Sequence, residues 1–411
     1  MATGNWDDLA AIAPRTKNAI ETCAVAPRKP VLSVIPASLS IPSPTPALPW
    51  ASLLDVDAGN GVVIREVLLR WLLTRAIVDQ GSDIDGVNMW HQGVVDNCYS
   101  RGIQFLHDPA QVLSRYPEFI EVATLERDRV ILARKDVWAA GGTNRRANAY
   151  NVFNVDGQRA FQKHTHAFVA GRMLPGLLSS LVVKGGLTEL VFGRAKRESP
   201  REMARRIRTD STVGLGACIG DKACDLFAKW AVGTFDLGAG LGIPWSRADC
   251  PLPMDQRVGR VLMRSGFMDE FFGVVEVASV RSQGFTPPGV MGRPSVGDPL
   301  PKGPWHLMVK DFRRKSSVKN KEAITWLIAV GDTSSVANPS KWRPQDVLSA
   351  LCRSFNASNN ADISPVELDD YLMDLATVCT DESPDCSSCG LVACCQANNE
   401  SSMVELKKYK T

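Results

Sequence analysis

Five of the eleven cysteines of the chain lie close together near its C-terminus. Four of them follow the spacing Cys379-x6-Cys386-x2-Cys389-x5-Cys395, and Cys394 is an additional neighbour. Four thiols within seventeen residues are too crowded for disulfide geometry, but they can wrap around a single metal centre because thiolates are soft ligands. An iron–sulfur cluster and a zinc ion both suit this ligand set, and exposed cysteines in a polar tail are a third interpretation.

The arrangement of these cysteines is a poor zinc pattern. A zinc ribbon usually has two CxxC knuckles separated by a longer loop, whereas this segment has one CxxC flanked by two single cysteines. The spacing, directly after a helix expected to end near Val378, resembles the [4Fe-4S] loop of the endonuclease III family of helix–hairpin–helix DNA glycosylases. The resemblance implies that a [4Fe-4S] cluster is held by the four cysteines of residues 379–395.

A second segment resembles the hairpin of the same family, which is written roughly L-P-G-V-G-x-K-[TV]-A. The matching residues are Gly216–Cys224, with Ala217 in place of the usual Pro and Cys218 in place of the first Gly. A glycine in such a turn lets backbone N–H groups approach a phosphate, and the following helix N-terminus adds its dipole. The resemblance implies that Ile219 and Gly220 contact DNA.

A third segment completes the chain order expected of the family. Residues 255–264 fit the family pattern D-x-x-[VI]-x-R-[VI]-x-x-R at every defined position. The resemblance implies that Asp255 is a catalytic carboxylate, and an ordinary helix cap is the alternative. Arg257 and Arg260 recur at near-helical spacing and are expected to neutralise DNA phosphates.

The chemistry that these residues would perform is excision of a base. The target base must leave the stack before its glycosidic bond can be reached. Asp255 would then stabilise the positive charge that develops on the sugar, and the neutral amine of Lys222 would attack the sugar to form a Schiff base. By resemblance, a lysine at this hairpin position marks family members that combine glycosylase and lyase activity, whereas a solvated surface lysine is the alternative.

A softer match lies at the end of the first predicted core helix. Residues 79–83 (DQGSD) resemble a family segment A-Q-A-[TS]-D, whose glutamine is inserted into the duplex where the base was removed. The resemblance assigns Gln80 to DNA binding, and an ordinary helix C-terminal turn is the alternative.

The elements that must position these residues are predicted to be mostly helices. Residues 62–78 carry apolar side chains at helical spacing with arginines on another face, which predicts a core helix. Ser199 and Ser364 each precede Pro and stand three residues before Glu, which predicts two helix starts with capping boxes. Residues 165–184 are predicted to be helical with a break at Pro175.

The expected fold is therefore mostly α, a two-lobed helix–hairpin–helix glycosylase fold with a C-terminal iron–sulfur loop at 379–395 and DNA crossing between the lobes. Residues 1–50 are rich in proline and are expected to form a tail or a segment that wraps around the fold. Residues 84–232 are expected to form a helical lobe that ends in the helix–hairpin–helix. Residues 51–83 are expected to join 233–411 in a second helical lobe.

The composition is that of a globular protein. The 411 residues are 45% hydrophobic and 22% charged with a net charge of only +3, so DNA binding has to come from local patches such as residues 194–208, which hold seven basic and two acidic side chains. No apolar run is long enough to span a membrane, and no signal peptide is visible. We expect a monomer in the cytoplasm, or wherever DNA is housed.

Three functions are compatible with these features. The first is a DNA glycosylase with an associated abasic-site lyase activity, acting on double-stranded DNA either in repair or in defence against hypermodified phage DNA. The second is a non-catalytic DNA-binding protein that keeps the hairpin and the cluster as architecture. The third is a zinc-ribbon protein with an unrelated helical domain.

Overall fold

Helices dominate the computed structural model, which confirms the expectation of a mostly α-helical protein. The one pair of strands within the described residues is short and antiparallel, with β1 (Asp57–Gly59) and β2 (Val62–Val63) joined by a tight turn. The structure describes residues 5–26, 34–79, 83–141, 161–162, 165–166, 168–210, 220–254, 256–272, 321–329, 344–379 and 385–395.

The α-helices of these ranges are numbered in chain order. They are α1 (Leu9–Ile12), α2 (Pro14–Val25), α3 (Trp50–Leu53), α4 (Ile64–Val78), α5 (Ile84–Ser100), α6 (Ala110–Ser114), α7 (Tyr116–Gly141), α8 (Met173–Val182), α9 (Gly186–Phe192), α10 (Pro200–Thr209), α11 (Asp221–Ala228), α12 (Gln256–Ser265), α13 (Phe267–Phe272), α14 (Lys321–Ala329), α15 (Pro344–Asn359) and α16 (Pro365–Val378).

The chain divides into two compact units whose boundaries differ from those predicted from the sequence. The described residues 34–247 form one, here the middle unit, and residues 5–26 together with 248–395 form the other, here the terminal unit. Residues 51–79 and 233–247, which were expected in the second lobe, therefore belong to the middle unit. The N-terminal residues, which were expected to be a tail, belong to the terminal unit.

Helix α4 is the centre of the middle unit, and its prediction from the sequence is confirmed. It packs against α8, α9 and α11, and nearly all of its side chains are buried. The arginines that the sequence placed on a separate face are buried as well, since Arg65 and Arg70 are only 1% and 7% exposed. A buried arginine must satisfy its guanidinium with protein acceptors, so α4 is tied to distant parts of the chain.

Arg65 explains why the middle unit extends to residue 247. Its Nη1 atom donates to the carbonyl oxygens of Leu237 and Ala239, and its Nη2 atom donates to Asp55 at 2.8 Å. These contacts join the start of α4 to a segment more than 170 positions later in the chain. Sequence patterns report local order, and they carry no signal for such a long-range pairing.

The N-terminal helices form part of the core of the terminal unit. Trp6 and Ile20 are buried, and the Trp6 ring packs edge-on against Trp326 at 6.1 Å and Phe355 at 5.1 Å. The expectation of a tail over residues 1–50 is therefore wrong for residues 5–25. The proline-rich residues 34–49 contribute a short turn of 3₁₀ helix at Ala37–Leu39 instead of a longer helix.

Two helix starts agree with the sequence. Ser199 caps α10 and Ser364 caps α16, and each forms the reciprocal capping box, with Glu202 and Glu367 respectively. The predicted break at Pro175 is wrong, because α8 runs through it after a stretch of π-helix at 168–172.

Candidate functional site

Lys222 lies in the first turn of α11, directly after the predicted hairpin. Gly220 is the exposed N-cap of this helix, and among the described residues a β-carbon placed on it would meet nothing within 4 Å. Because helix N-termini expose N–H groups and carry a partial positive charge, this end of α11 suits an anion such as a phosphate.

The two helices that flank the predicted hairpin pack against each other. They are α10 and α11, and both belong to the middle unit. The hairpin residues 211–219, including Ile219, lie outside the described residues, as do Gln80 and Asp255. Of the residues proposed from the sequence for catalysis and DNA contact, the structure therefore describes Gly220, Lys222, Arg257 and Arg260.

A carboxylate that the sequence did not single out faces Lys222. The Nζ atom of Lys222 is 3.9 Å from Oδ1 of Asp79, which ends α4. The Asp79 side chain is 9% exposed, whereas that of Lys222 is 26% exposed. Within the part of the chain that the structure describes, Oδ1 of Asp79 accepts no hydrogen bond, and the Lys222 ammonium is a positive charge close to it.

The surroundings of Asp79 add a second cation. The guanidinium of Arg75 lies over the Trp230 ring, 5.2 Å from its centroid. Burial lowers the pKa of Arg75, and the negative charge of Asp79 opposes that effect. Asp79 therefore lies between two positively charged groups on α4 and α11.

A buried histidine on α5 contacts α4 close to Arg75. The Nε2 atom of His91 is 2.9 Å from the Thr74 hydroxyl, and the ring is buried. Burial and the nearby charge of Arg75 lower the pKa of His91 to about 3. The imidazole is therefore neutral at physiological pH.

The basic segment 194–208 is only partly available to a ligand. Arg206 forms an ion pair with Glu198, whose carbonyl oxygen also accepts a hydrogen bond from Trp245 at 2.5 Å. The exposed cations of the segment are Arg194, Lys196, Arg197 and Arg205. These four side chains form a surface that suits phosphates on the same unit as Lys222.

Arg260 does not have the exposure that its proposed contact with DNA requires. Its side chain is 7% exposed, and its Nη2 atom donates to the carbonyl oxygen of Ala376 at 3.2 Å. This bond joins α12 to the C-terminal end of α16, where a cation is stabilised by the helix dipole. The prediction that Arg260 contacts phosphate is therefore corrected to a structural role, whereas Arg257 is half-buried and remains a candidate.

Arg264, on the same helix, touches two of the clustered cysteines. Its Nη1 atom is 3.4 Å from the sulfur of Cys379, and its carbonyl oxygen accepts a hydrogen bond from the Cys395 thiol at 3.2 Å. Cys379 caps the end of α16, and the loop then returns so that the Asp385 N–H donates to Val378 at 2.9 Å. The helix of the aspartate motif and the cysteine loop are thus in direct contact within the terminal unit.

The cysteine loop carries the ligand atoms that a sulfur-ligated metal centre needs. Within the described ranges, no three His, Cys, Asp or Glu side chains lie close enough together to hold a metal ion. The thiols are nonetheless neighbours: burial raises the pKa of Cys389, and charges on Cys379 and Cys386 raise it further. Metal binding would reverse this effect, because coordination requires the thiolate.

A buried hydroxyl beside the loop also fits a sulfur-ligated group. Burial, followed by charges on Cys389, Cys23 and Cys394, raises the pKa of Tyr371 to about 12, so the phenol stays protonated. Its oxygen is buried and, within the described residues, makes no hydrogen bond. A β-carbon at Gly390 would lie 2.6 Å from that oxygen. An unused O–H donor among thiols suits a cluster whose sulfur atoms accept hydrogen bonds.

Comparison with known proteins gives no match to a family model, to a curated protein or to a solved structure. Among the described residues, no single helix is both long and apolar enough to cross a membrane. The helices α8 and α9 are long and apolar enough when taken together, but the chain bends by 88° between them.

Asp79 is the functional candidate that sequence reasoning missed. It stands directly before Gln80, and the family segment has an apolar residue at that point, so the resemblance drew attention away from it. Its significance comes from packing of α4 against α11, which brings together residues 143 positions apart in the chain. The available signal was an acidic residue at the end of an otherwise apolar helix.

Proposed function

We propose that this protein is a DNA glycosylase with an associated abasic-site lyase activity, in which Lys222 is the nucleophile. The observation that carries the proposal is the position of Lys222 at a helix N-terminus, 3.9 Å from a buried carboxylate. The lysine becomes a nucleophile once its ammonium has lost a proton, and Asp79 is a nearby group that can accept it.

DNA binding is assigned to the same unit. The exposed cations Arg194, Lys196, Arg197 and Arg205 would neutralise phosphates, and the start of α11 would hold a further phosphate. The target base would be extruded from the duplex before it is cut. Asp255 is proposed, from its motif alone, to stabilise the positive charge that develops on the sugar.

A [4Fe-4S] cluster is proposed as the cofactor, held by Cys379, Cys386, Cys389 and Cys395. Such a cluster would supply folding free energy to the terminal unit, in which Arg264 already touches two of the four thiols. The cluster is not assigned a part in the proposed reaction, whose steps are performed by side chains of the protein.

The nucleophile is tested by trapping. DNA containing an abasic site should form a covalent adduct with the wild-type protein in the presence of borohydride, because reduction converts the Schiff base to a stable amine. Lys222→Ala should abolish the adduct. Lys184→Ala, which removes an exposed lysine of the same unit, should leave it unchanged.

Two further results complete this test. On DNA carrying the target base, Asp255→Asn should still bind while excision falls by roughly 10²-fold or more, the scale for loss of an electrostatic stabiliser. If Lys222→Ala forms the adduct as well as the wild type does, the nucleophile lies elsewhere and the proposal is wrong.

The cofactor is tested by colour and metal content. The purified protein should show a broad visible absorption band, and Cys389→Ser should remove the band and destabilise the terminal unit. Cys394→Ser is the matched control, because this neighbouring thiol is outside the proposed ligand set, and its band should persist. A colourless wild-type protein with stoichiometric zinc would contradict the assignment.

A further inference from the structure

We propose that Asp79 is a positioning residue for Lys222 that also accepts its proton during Schiff-base formation. This inference rests on the proposed function and names a carboxylate outside the motifs that led to it. The juxtaposition lies entirely within the middle unit, since Asp79 ends α4 and Lys222 begins α11.

The burial of the two groups supports this division of roles. Asp79 is 9% exposed and its Oδ1 atom accepts no hydrogen bond within the described residues, so this oxygen can take a proton from the ammonium 3.9 Å away. Lys222 retains some exposure and can therefore reach a substrate on the surface of the unit.

Schiff-base formation at Lys222 uses one proton, which Asp79 takes up and later returns. The Lys222 ammonium gives one proton to Asp79, and the neutral amine adds to the C1′ aldehyde of an abasic sugar to form a carbinolamine. Asp79 then returns the proton to the hydroxyl group of the carbinolamine. Water leaves, the nitrogen lone pair forms the C=N bond, and a protonated imine remains on Lys222. Asp79 ends as the carboxylate with which it began.

Other charged residues lie on the helices that pack against α4 and α11. On α4, Arg75 acts on Asp79, and on α5 His91 is neutral. Helix α9, which packs on α4, carries Glu189, and helix α10, which packs on α11, carries four arginines. Two buried charged residues lie on α11 and its π-helical continuation. The arginines of α10 and these two buried residues are Arg201, Arg205, Arg206, Arg208, Asp225 and Lys229. All are retained when Asp79 alone is changed, so a comparison of variants isolates its effect.

The experiment measures the rate of borohydride trapping on abasic-site DNA at neutral pH, which requires no knowledge of the excised base. Asp79→Asn keeps the shape of the side chain and removes its ability to accept a proton. The trapping rate should fall by roughly 10²-fold, the scale for a general base.

Two variants separate this role from a merely structural one. Asp79→Glu retains a carboxylate and should recover part of the rate. Asp85→Asn removes an acid of the same unit, whose side chain is 79% exposed, and should leave the trapping rate unchanged.

The outcomes distinguish the two proposals. If Asp79→Asn traps at the wild-type rate, or if Asp79→Glu recovers none of the lost rate, the inference about Asp79 is wrong while Lys222 stands as the nucleophile. If the wild type forms no adduct, or Lys222→Ala forms it equally well, the proposed function fails and the inference fails with it.

Discussion

In each of the two units, a buried glutamate accepts hydrogen bonds from the first turn of a helix that is distant in the sequence. In the middle unit, Glu66 accepts hydrogen bonds from the N–H groups of Leu187 and Thr188 and from the Thr188 hydroxyl, all at 2.8 Å. In the terminal unit, Glu270 accepts them from the N–H groups of Arg15 and Thr16, both at 2.9 Å, and from the Thr16 hydroxyl at 2.6 Å. Each carboxylate satisfies the first turn of a helix that is distant in the sequence.

The surroundings of the two carboxylates differ. Glu66 pairs with Arg70 at 3.2 Å, and the same guanidinium donates to the carbonyl oxygens of Leu106 and His107, both at 2.8 Å. Burial raises the pKa of Glu270 and outweighs the hydrogen bonds from Thr16 and the Arg15 backbone. A capping carboxylate can thus be built into an ionic network or can sit in a site that favours its protonated form.

The helix starts reflect this difference. Gly186 begins α9 with a φ of +70°, and a β-carbon there would lie 2.5 Å from Oε1 of Glu66. A glycine is therefore required for the carboxylate to approach so closely. In the terminal unit, α2 begins with Pro14, which has no N–H group that would need an acceptor. The next two N–H groups of the helix donate to Glu270.

The largest effect is expected from Glu66→Gln. This change removes the carboxylate that pairs with the buried Arg70, and breaking a buried pair typically costs about 3–5 kcal/mol. The free energy of unfolding from urea titration, together with hydrogen exchange of the α9 amides, measures the loss and locates it in the middle unit. A loss below about 1 kcal/mol would show that the network is not a stabilising feature.

A smaller loss is expected from Glu270→Gln, the matched change in the terminal unit. The amide replaces one acceptor oxygen by a donor, so one N–H group of α2 loses its partner, at a cost of about 1–3 kcal/mol. Hydrogen exchange of the Arg15 and Thr16 amides should accelerate while that of the α9 amides is unchanged. Equal losses in the two variants would remove the distinction between the sites.

The smallest expected effect is a change of folding stability with pH, which has opposite signs for one carboxylate in each unit. The folded-state pKa of Glu270 is raised, so the folded protein binds this proton more tightly than the unfolded chain does, and its contribution to stability grows as pH falls through that pKa. Asp83 in the middle unit is also buried, but hydrogen bonds from Arg134, the Gly86 N–H and Trp138 outweigh burial and lower its pKa. Its contribution is therefore lost as pH falls through that lowered value.

The measurement is the free energy of unfolding of the wild type and of each variant as a function of pH. The stability of the wild type relative to Glu270→Gln should rise on acidification, whereas its stability relative to Asp83→Asn should fall. If both differences change in the same direction with pH, the opposite pKa shifts of the two carboxylates are wrong.

The features predicted correctly from the sequence are those that depend on neighbouring residues. Ser199 and Ser364 begin helices because the capping box is complete within four residues. The apolar run of α4 specifies a buried helix in the same way. The boundaries of the two units were missed because they depend on single long-range contacts such as that of Arg65 with Leu237, which leave no periodic signal.

In the candidate site, too, the residues that could be predicted from the sequence are those with a local signal. Lys222 was proposed from the sequence because it belongs to a short motif at a helix start. Arg260 was misplaced because regular spacing of arginines describes a helix face but does not reveal whether that face meets solvent or, as here, the end of α16. Asp79 was missed because only the packing of α4 on α11 brings it to Lys222.

The discontinuous terminal unit has a consequence for synthesis on the ribosome. The segment that contains Trp6 and Ile20 emerges long before the residues that cover it, which lie at 252–391. The described residues of the middle unit have all emerged once residue 247 is out, and this unit can fold while the earlier helices still expose their apolar side chains to solvent. We therefore expect nascent chains that stall before α15 to require a holdase chaperone, because a segment made early has to wait for its late-made partners.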